Sequence, residues 1–263
     1  MNVSNADTNQ HTITHLFGLG IRRMTFDQAN TELLSAARRT GEKTQVVVTP
    51  NVDHIVRLDQ QPVFKALYAG ADYIFADGMP IVWASKMSKN PLPERVTGAD
   101  LFVSLCKGAA KEGLSIFILG GMPGQEGDLM DSFARVYPGL KVNILCPSMQ
   151  FTPDGPEADA AIRQIRETQP AILFICLGMP KQEYFAFRYR SEQTTQNCPL
   201  ILCVGAAMEF ALGQKKRAPL WMQKMGLEWF WRLVSEPRRL WHRYTVQGSK
   251  FFGILLRERQ HHK

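Results

Sequence analysis

The stretch AILFICLGMPKQE, residues 171–183, decides how the rest of the chain is read. Residues 171–177 are continuously apolar, as in a strand covered on both faces. Gly178 ends the run, Pro180 suits a first helical turn, and Lys181, Gln182 and Glu183 bring a cation, an amide and an anion into that turn. Strand, short turn and helix start form half of a β-α-β unit. The same pattern recurs on either side. QVVVT (45–49), YIFA (73–76), LSIFIL (114–119), KVNILC (141–146) and PLILCV (199–204) are further short apolar runs. Amphipathic segments at 53–69, 98–112, 124–136 and 157–168 lie between them. This alternation predicts an α/β fold: a mostly parallel sheet with helices on both faces, joined by right-handed crossovers.

Ligands of such sheets bind beyond the carboxyl ends of the strands. The loops there read Thr49-Pro50-Asn51, Asp77-Gly78, Gly120-Gly121-Met122-Pro123-Gly124, Gly178 to Glu183, and Gly205-Ala206-Ala207. Only the run ending at Cys146 lacks polar or glycine-rich chemistry at its exit. YIFADGMPIVW (73–83) places Asp77 at the exit of a hydrophobic strand, where a carboxylate is costly unless it has a partner or a task. The histidines do not cluster at metal-ligand spacing apart from a pair in the tail, no DxD follows a strand, and no GxSxG occurs. A base acting without a metal would be a carboxylate, and Asp77 is the best placed.

The other motifs carry two readings each. ILGGMPG (118–124) is either a plain tight turn or a phosphate cradle made of glycine backbone and helix N–H groups. It is neither GxGxxG nor GxxxxGK[ST]. Lys181 and Gln182 stand where they would hold phosphate or sugar hydroxyls, while Glu183 can simply favour the helix dipole. In PERVTGADL (93–101), Arg95 is either a surface arginine or a fork that neutralises a diphosphate, and Asp100 assists a helix start. The GLG at 18–20 is a weaker motif, because no strong strand precedes it.

With 263 residues, 45% hydrophobic and 21% charged, the chain suits one globular α/β domain with an appendage. The cysteines at 106, 146, 176, 198 and 203 form no CxxC pair and read as reduced core residues of a cytoplasmic protein. The first fifteen residues are polar, so no signal peptide is expected, and no run of eighteen apolar residues occurs. Charge is uneven. Residues 1–214 hold 19 Lys and Arg against 21 Asp and Glu, whereas residues 215–263 hold 12 against 3. The expected division is therefore a domain at 1–214 and a basic appendage at 215–263. Leu227, Phe230, Trp231 and Val234 make an apolar helical face in that tail, and Pro237 breaks or kinks the helix. Such a tail fits a helix lying on an anionic membrane, a terminal helix docked on the domain, or a nucleic-acid-binding segment. A nucleic-acid module would spread positive charge over the core, which is slightly acidic. A nicotinamide-dependent dehydrogenase would need GxGxxG after its first strand, and TPNVDH does not supply it.

Taken together, TPN (49–51), ADYIFADGMPIVW (71–83), PERVTGADL (93–101), ILGGMPG (118–124), YPGL (137–140), LGMPKQE (177–183), RAPLWMQKMGLEWFWRL and EPRR (217–239) resemble the WecG/TagA/CpsF family, glycosyltransferase family 26, in the family's order. The resemblance covers roughly residues 45–240. It implies a Rossmann-like catalytic domain and a helical C-terminal appendage that seats on the inner face of the cytoplasmic membrane. It implies an inverting transfer with no metal or other cofactor. The donor would be a UDP-sugar of N-acetylmannosamine, N-acetylmannosaminuronic acid or glucose type. The acceptor would be a sugar on a polyprenyl diphosphate, used in building a cell-surface polysaccharide.

By the same resemblance Asp77 is the general base, with Thr49, Gln182 and Arg95 beside it. Asn51, Gly78, Gly120, Gly121, Gly124, Gly178, Pro180, Lys181 and Glu183 would line the substrates. Arg217, Arg232, Arg238 and Arg239 would serve the membrane or the acceptor. Nucleic acid is not an expected partner, and self-association is a family expectation. Two places depart from the family pattern: Glu209 stands where Asp is usual, and CPSMQF (146–151) lacks a glycine before its Phe. Both loops bear on donor choice.

Overall fold

The computed structural model describes residues 12–192, 198–214, 218–219, 222, 228–235 and 237–261. The described chain opens with an antiparallel hairpin, β1 (Ile13–Leu16) and β2 (Leu19–Arg22). Phe17 and Gly18 form its turn with φ of 56° and 71°. Two positive φ values in a two-residue turn match the right-handed twist of the flanking strands.

Six strands follow: β3 (Gln45–Val48), β4 (Tyr73–Ile74), β5 (Ser115–Gly120), β6 (Lys141–Leu145), β7 (Ile172–Cys176) and β8 (Leu200–Cys203). They form one sheet in the order β4-β3-β8-β7-β5-β6, and each neighbouring pair is parallel. The helices between them are α1 (Phe26–Ala37), α2 (Val52–Gln60), α3 (Pro62–Ala69), α4 (Met79–Ser85), α5 (Gly98–Glu112), α6 (Glu126–Val136), α7 (Pro156–Thr168), α8 (Lys181–Ser191) and α9 (Ala207–Ala211). Near the C-terminus stand α10 (Glu228–Ser235) and α11 (Pro237–His261).

Alternate strand residues feed two separate cores. Val46, Val48, Phe117, Leu119, Leu173, Ile175, Ile201 and Cys203 pack with α2, α3, α4, α7 and α8. Val47, Ile116, Ile118, Ile172, Phe174, Leu200 and Leu202 pack with α1, α5, α6 and α9. A strand that is apolar at every position therefore fits a sheet covered on both faces, as the sequence predicts. From β5 the chain leaves through α6 on one face, and from β7 through α8 on the other. Consecutive connections that depart to opposite faces open a crevice at the carboxyl edge.

Several boundaries differ from the sequence reading. The segment 53–69 is two helices rather than one. It is interrupted at Gln61, whose backbone turns to φ −130° and ψ 85° ahead of Pro62. A residue before proline is driven out of the helical region, and proline has no N–H to continue the ladder. β4 is shorter than the apolar run 73–76, yet the chain stays extended past it. Phe75 N donates to Val48 O at 3.0 Å, and Asp77 N donates to Pro50 O at 2.9 Å. The two exits thus run side by side beyond the sheet.

The C-terminal part of α11 returns to the domain. Phe251 and Ile254 are buried in the first core. Phe251 meets Phe17 with ring centroids 5.7 Å apart. Phe17 N donates to Glu258 Oε1 at 2.8 Å, and Arg257 pairs with Asp59 of α2 at 2.7 Å. The opposite side of the terminal helices leaves Phe230, Val234, Phe252 and Leu256 exposed. A helix boundary falls at Pro237, as the sequence predicts.

Candidate active site at the carboxyl edge

Asp77 stands where three chain segments converge. Its backbone is held by Pro50 of the β3 exit. Its Oδ2 accepts from Gly98 N, the first residue of α5, at 3.4 Å. The loop before α5 is fixed in turn, since Val96 N donates to Ala76 O at 3.1 Å. Helix α5 starts sharply because Thr97 is its N-cap, with Asp100 N donating to Thr97 Oγ1 at 3.0 Å and Thr97 Oγ1 donating to Asp100 Oδ2 at 2.6 Å. The positive end of a helix thus abuts the Asp77 carboxyl group. Asp77 and Arg95 are both half-buried.

Gly98 also brings the β3 and β8 exits into the same place. A Cβ on Gly98 would lie 2.8 Å from Thr49 Oγ1 and 3.5 Å from Val204 Cγ1. Only glycine lets the helix start approach Thr49 this closely. Asn51 caps α2: its Oδ1 accepts from Asp53 N at 3.0 Å and His54 N at 3.3 Å. Gly78 lies over Asn51, whose Cα is 3.9 Å from the place a Cβ of Gly78 would take. Thr49, Asn51, Asp77, Gly78 and Gly98 therefore form one cluster, and Arg95 stands two residues before the N-cap of α5.

The β7 exit contributes differently from its sequence reading. The Met179–Pro180 peptide bond is cis, and α8 begins at Lys181. Gly178 and Lys181 are exposed at the edge. Gln182 is buried instead, its Oε1 accepting from Gly205 N at 2.9 Å and its Nε2 donating to Glu183 Oε1 at 2.9 Å. Glu183 is fully enclosed and faces His54 Nε2 at 3.7 Å, and its Oε2 makes no hydrogen bond. Tyr68 of α3 is buried beside this group with its ring 6.1 Å from that of His54. Burial first, then nearby Glu183, pushes the Tyr68 phenol well above the ordinary tyrosine range. Burial and Glu183 push the Cys203 thiol up in the same way. Both residues thus stay neutral around one buried carboxylate. His54 and Tyr68 escaped the sequence reading; the available signal was a histidine three residues after an Asn helix cap.

The glycine loop has a packing reason of its own. A Cβ on Gly120 would lie 2.6 Å from Cys176 Cβ and 2.7 Å from Cys176 O, and one on Gly121 would lie 2.8 Å from Cys146 Sγ. Gly124 has a φ of 82° with open space around it. The first turn of α6 carries Glu126 and Asp128, and Glu126 Oε1 accepts from Cys146 N at 3.2 Å. Carboxylates thus already occupy that helix start.

Of the basic tail positions, Arg217 lies outside the described residues. Arg232, Arg238 and Arg239 lie on α10 and α11, but their side chains are outside the described set. Among the described residues, no group of three or more His, Cys, Asp and Glu is arranged to hold a metal ion, and no helix is long and apolar enough to cross a membrane.

Comparison with known proteins agrees with the motif order. The family described as Glycosyl transferase WecG/TagA/CpsF family matches residues 14–263. A curated relative from Bacillus spizizenii is N-acetylglucosaminyldiphosphoundecaprenol N-acetyl-beta-D-mannosaminyltransferase. It is 31% identical over 220 residues, which is 82% of this chain and 81% of the relative.

Proposed function

Because the chain belongs to the WecG/TagA/CpsF glycosyltransferase family, we propose that it moves one sugar from a UDP-sugar donor to a sugar carried on a polyprenyl diphosphate, with inversion and without a metal. The relative's printed name favours an N-acetylglucosamine-diphosphate lipid as acceptor and an N-acetylmannosamine donor. An N-acetylmannosaminuronic acid or glucose donor belongs to the same reading. The product is a lipid-linked intermediate of a cell-surface polysaccharide.

Asp77 carries the proposal. It is the carboxylate at the carboxyl edge to which the β3 exit, the β4 exit and the start of α5 all converge. In the reaction Asp77 takes the proton of the attacking acceptor hydroxyl. The hydroxyl oxygen forms its bond to the anomeric carbon as the bond from that carbon to the diphosphate oxygen breaks. UDP leaves with the electron pair, and attack from the opposite face inverts the centre. Arg95 and Lys181 offset the charge that develops on the diphosphate. Thr49 and Asn51 orient sugar hydroxyls, and Gln182 fixes the β8 exit beside them. Gly78, Gly178 and Pro180 shape the backbone around the substrates, and Gly120, Gly121 and Gly124 let it turn close to the donor.

The terminal helices place the enzyme on the cytoplasmic face of an anionic membrane. Supporting this are the 12 Lys and Arg against 3 acidic residues in 215–263 and the exposed Phe230, Val234, Phe252 and Leu256. Arg217, Arg232, Arg238 and Arg239 would meet lipid headgroups or the acceptor diphosphate.

The test is turnover of the full chain with a synthetic polyprenyl-diphosphate N-acetylglucosamine and a panel of UDP-sugars, followed by mass spectrometry. One donor is expected to add a single hexose-type residue, in the presence of a chelator, and Asp77→Asn is expected to abolish the product. Full turnover by Asp77→Asn would remove Asp77 as the base. No product from any donor would refute the transfer.

A further inference from the structure

Glu183 and His54 take no part in the transfer as described, yet they join the loops that do. Asn51 stands at one end of this link. Its Oδ1 caps α2 by accepting from Asp53 N and His54 N, which fixes that atom as the oxygen of the amide. His54 Nδ1 lies 2.8 Å from the same Oδ1. Two lone pairs cannot face each other at that distance, so Nδ1 carries the proton and donates. The 3.4 Å approach of Asn51 N to Nδ1 is the weaker contact and yields to it. His54 Nε2 then faces Glu183 Oε1 at 3.7 Å, an ion-pair separation rather than a hydrogen bond, and the link between them requires a proton on one of the two atoms. Glu183 Oε1 accepts from Gln182 Nε2, and Gln182 Oε1 accepts from Gly205 N.

The result is a chain of polar contacts, Asn51–His54–Glu183–Gln182–Gly205, running beneath three strand exits. β8 lies between β3 and β7 in the sheet, so the chain passes under the β8 exit and binds both neighbours to it. At one end it reaches Asp77, because Asp77 N is bonded to Pro50 O and Gly78 rests on Asn51. A buried carboxyl group with one oxygen left without a hydrogen bond costs free energy unless its geometry does something.

We propose that Glu183 and His54 are positioning residues for the transfer: Glu183 holds Asn51 through His54 and Gly205 through Gln182, and so sets where Asp77 meets the acceptor hydroxyl. The proposal rests on Asp77 being the base, and its test separates the two. Glu183→Gln keeps the side-chain shape and removes the charge. With the full chain, the lipid-linked acceptor and the UDP-sugar, kcat is expected to fall roughly 10- to 100-fold, as for displaced reacting groups and removed supporting partners. KM for the donor is expected to hold, because no atom of Glu183 faces it.

Full turnover by Asp77→Asn sinks the base assignment and this proposal with it. Loss of turnover in Asp77→Asn alongside an intact kcat in Glu183→Gln sinks the proposal alone. If Glu183→Gln does not fold, His54→Gln reads the same chain and is expected to give the same split between kcat and KM. An independent readout needs no activity. Imidazole ¹⁵N spectra, with the His54 signal assigned by loss in His54→Gln, are expected to show a protonated Nδ1. A bare Nδ1 would overturn the proposed chain of contacts.

Discussion

Gly98→Ala tests whether the start of α5 belongs to the site. The added Cβ would lie 2.8 Å from Thr49 Oγ1, with Val204 Cγ1 and Cα at 3.5 and 3.6 Å. Ordinary contact begins near 3.4 Å, so the methyl and the hydroxyl must part by about 0.6 Å. Two relaxations are open. Thr49 can rotate, which swings its hydroxyl away from the ligand edge. Alternatively the helix start can retreat, which draws Gly98 N from Asp77 Oδ2, already at 3.4 Å. Each one disturbs the proposed site. Overpacking costs about 1–3 kcal/mol, and the better helix propensity of alanine offsets at most about 1 kcal/mol of it. A net loss of about 1 kcal/mol lowers Tm by about 2–4 °C at this chain length. If displacement by about 1 Å costs about 100-fold, then about 0.6 Å predicts a fall in kcat on the order of 10-fold. Steady-state UDP release at saturating donor, read beside a circular-dichroism melt, measures both. Gly127→Ala is the control: nothing lies within 4 Å of its Cβ and its φ is ordinary. It is expected to leave turnover unchanged and to stabilise α6 by up to about 1 kcal/mol. A Gly98→Ala protein with a lowered Tm and an unaltered kcat would refute the reasoning.

Three further outcomes are expected. Gly120→Ala drives a Cβ against Cys176 backbone at a φ of 153°, so denaturant unfolding is expected to show a loss of about 3 kcal/mol or more. Phe251→Ala removes a buried ring from its contact with Phe17, and limited proteolysis is expected to cut within residues 237–261 far faster, with about 3 kcal/mol of docking lost. Burial first, then neighbouring groups, pushes Tyr73, Tyr137 and Tyr189 each up to about 12. Between pH 10 and 12 the unfolded chain releases these protons while the folded chain keeps them, so stability is fully present below pH 10 and falls as pH rises through about 12. Phenolate absorbance and the unfolding signal are expected to rise together there; tyrosine ionisation well before unfolding would contradict it.

The sheet was legible because β4, β7 and β8 are apolar at every position and β3 and β5 after their first residue, as strands buried on both faces must be, whereas the edge strand β6 also carries Lys141 and Asn143. Asp77 and Thr49 were legible as polar residues placed after strands, and Arg95 as one placed before a helix start. Gly98 is a natural N1 residue after Thr97, but its contact with Thr49 depends on β8 lying next to β3, an order no local pattern carries. The same holds for His54 and Glu183, which are far apart in sequence and meet only because β3 and β7 flank one strand. Glu183 reads locally as a helix-start anion, and nothing in LGMPKQE indicates that its carboxylate turns inward. The hairpin before α1 was missed because its strands are short and half polar. Its turn signal, Phe17-Gly18, was present but stood beside no strong apolar run. The terminal helix matches the docked reading of the tail through Phe251 and Ile254, while Phe252 and Leu256 stay exposed.

That docking makes α11 a lever. Its 25 residues span about 37 Å at the rise of an α-helix, and its far end is fastened to α2 and to the hairpin turn. Asn51, the cap of α2, is also the residue on which Gly78 rests. A force applied to α11 is borne at Asp59, in the last turn of α2, and at Phe17 of the hairpin turn. Docking of α11 and the capping of α2 at Asn51 thus load the same helix, and Phe251→Ala tests whether loosening one is felt at the other.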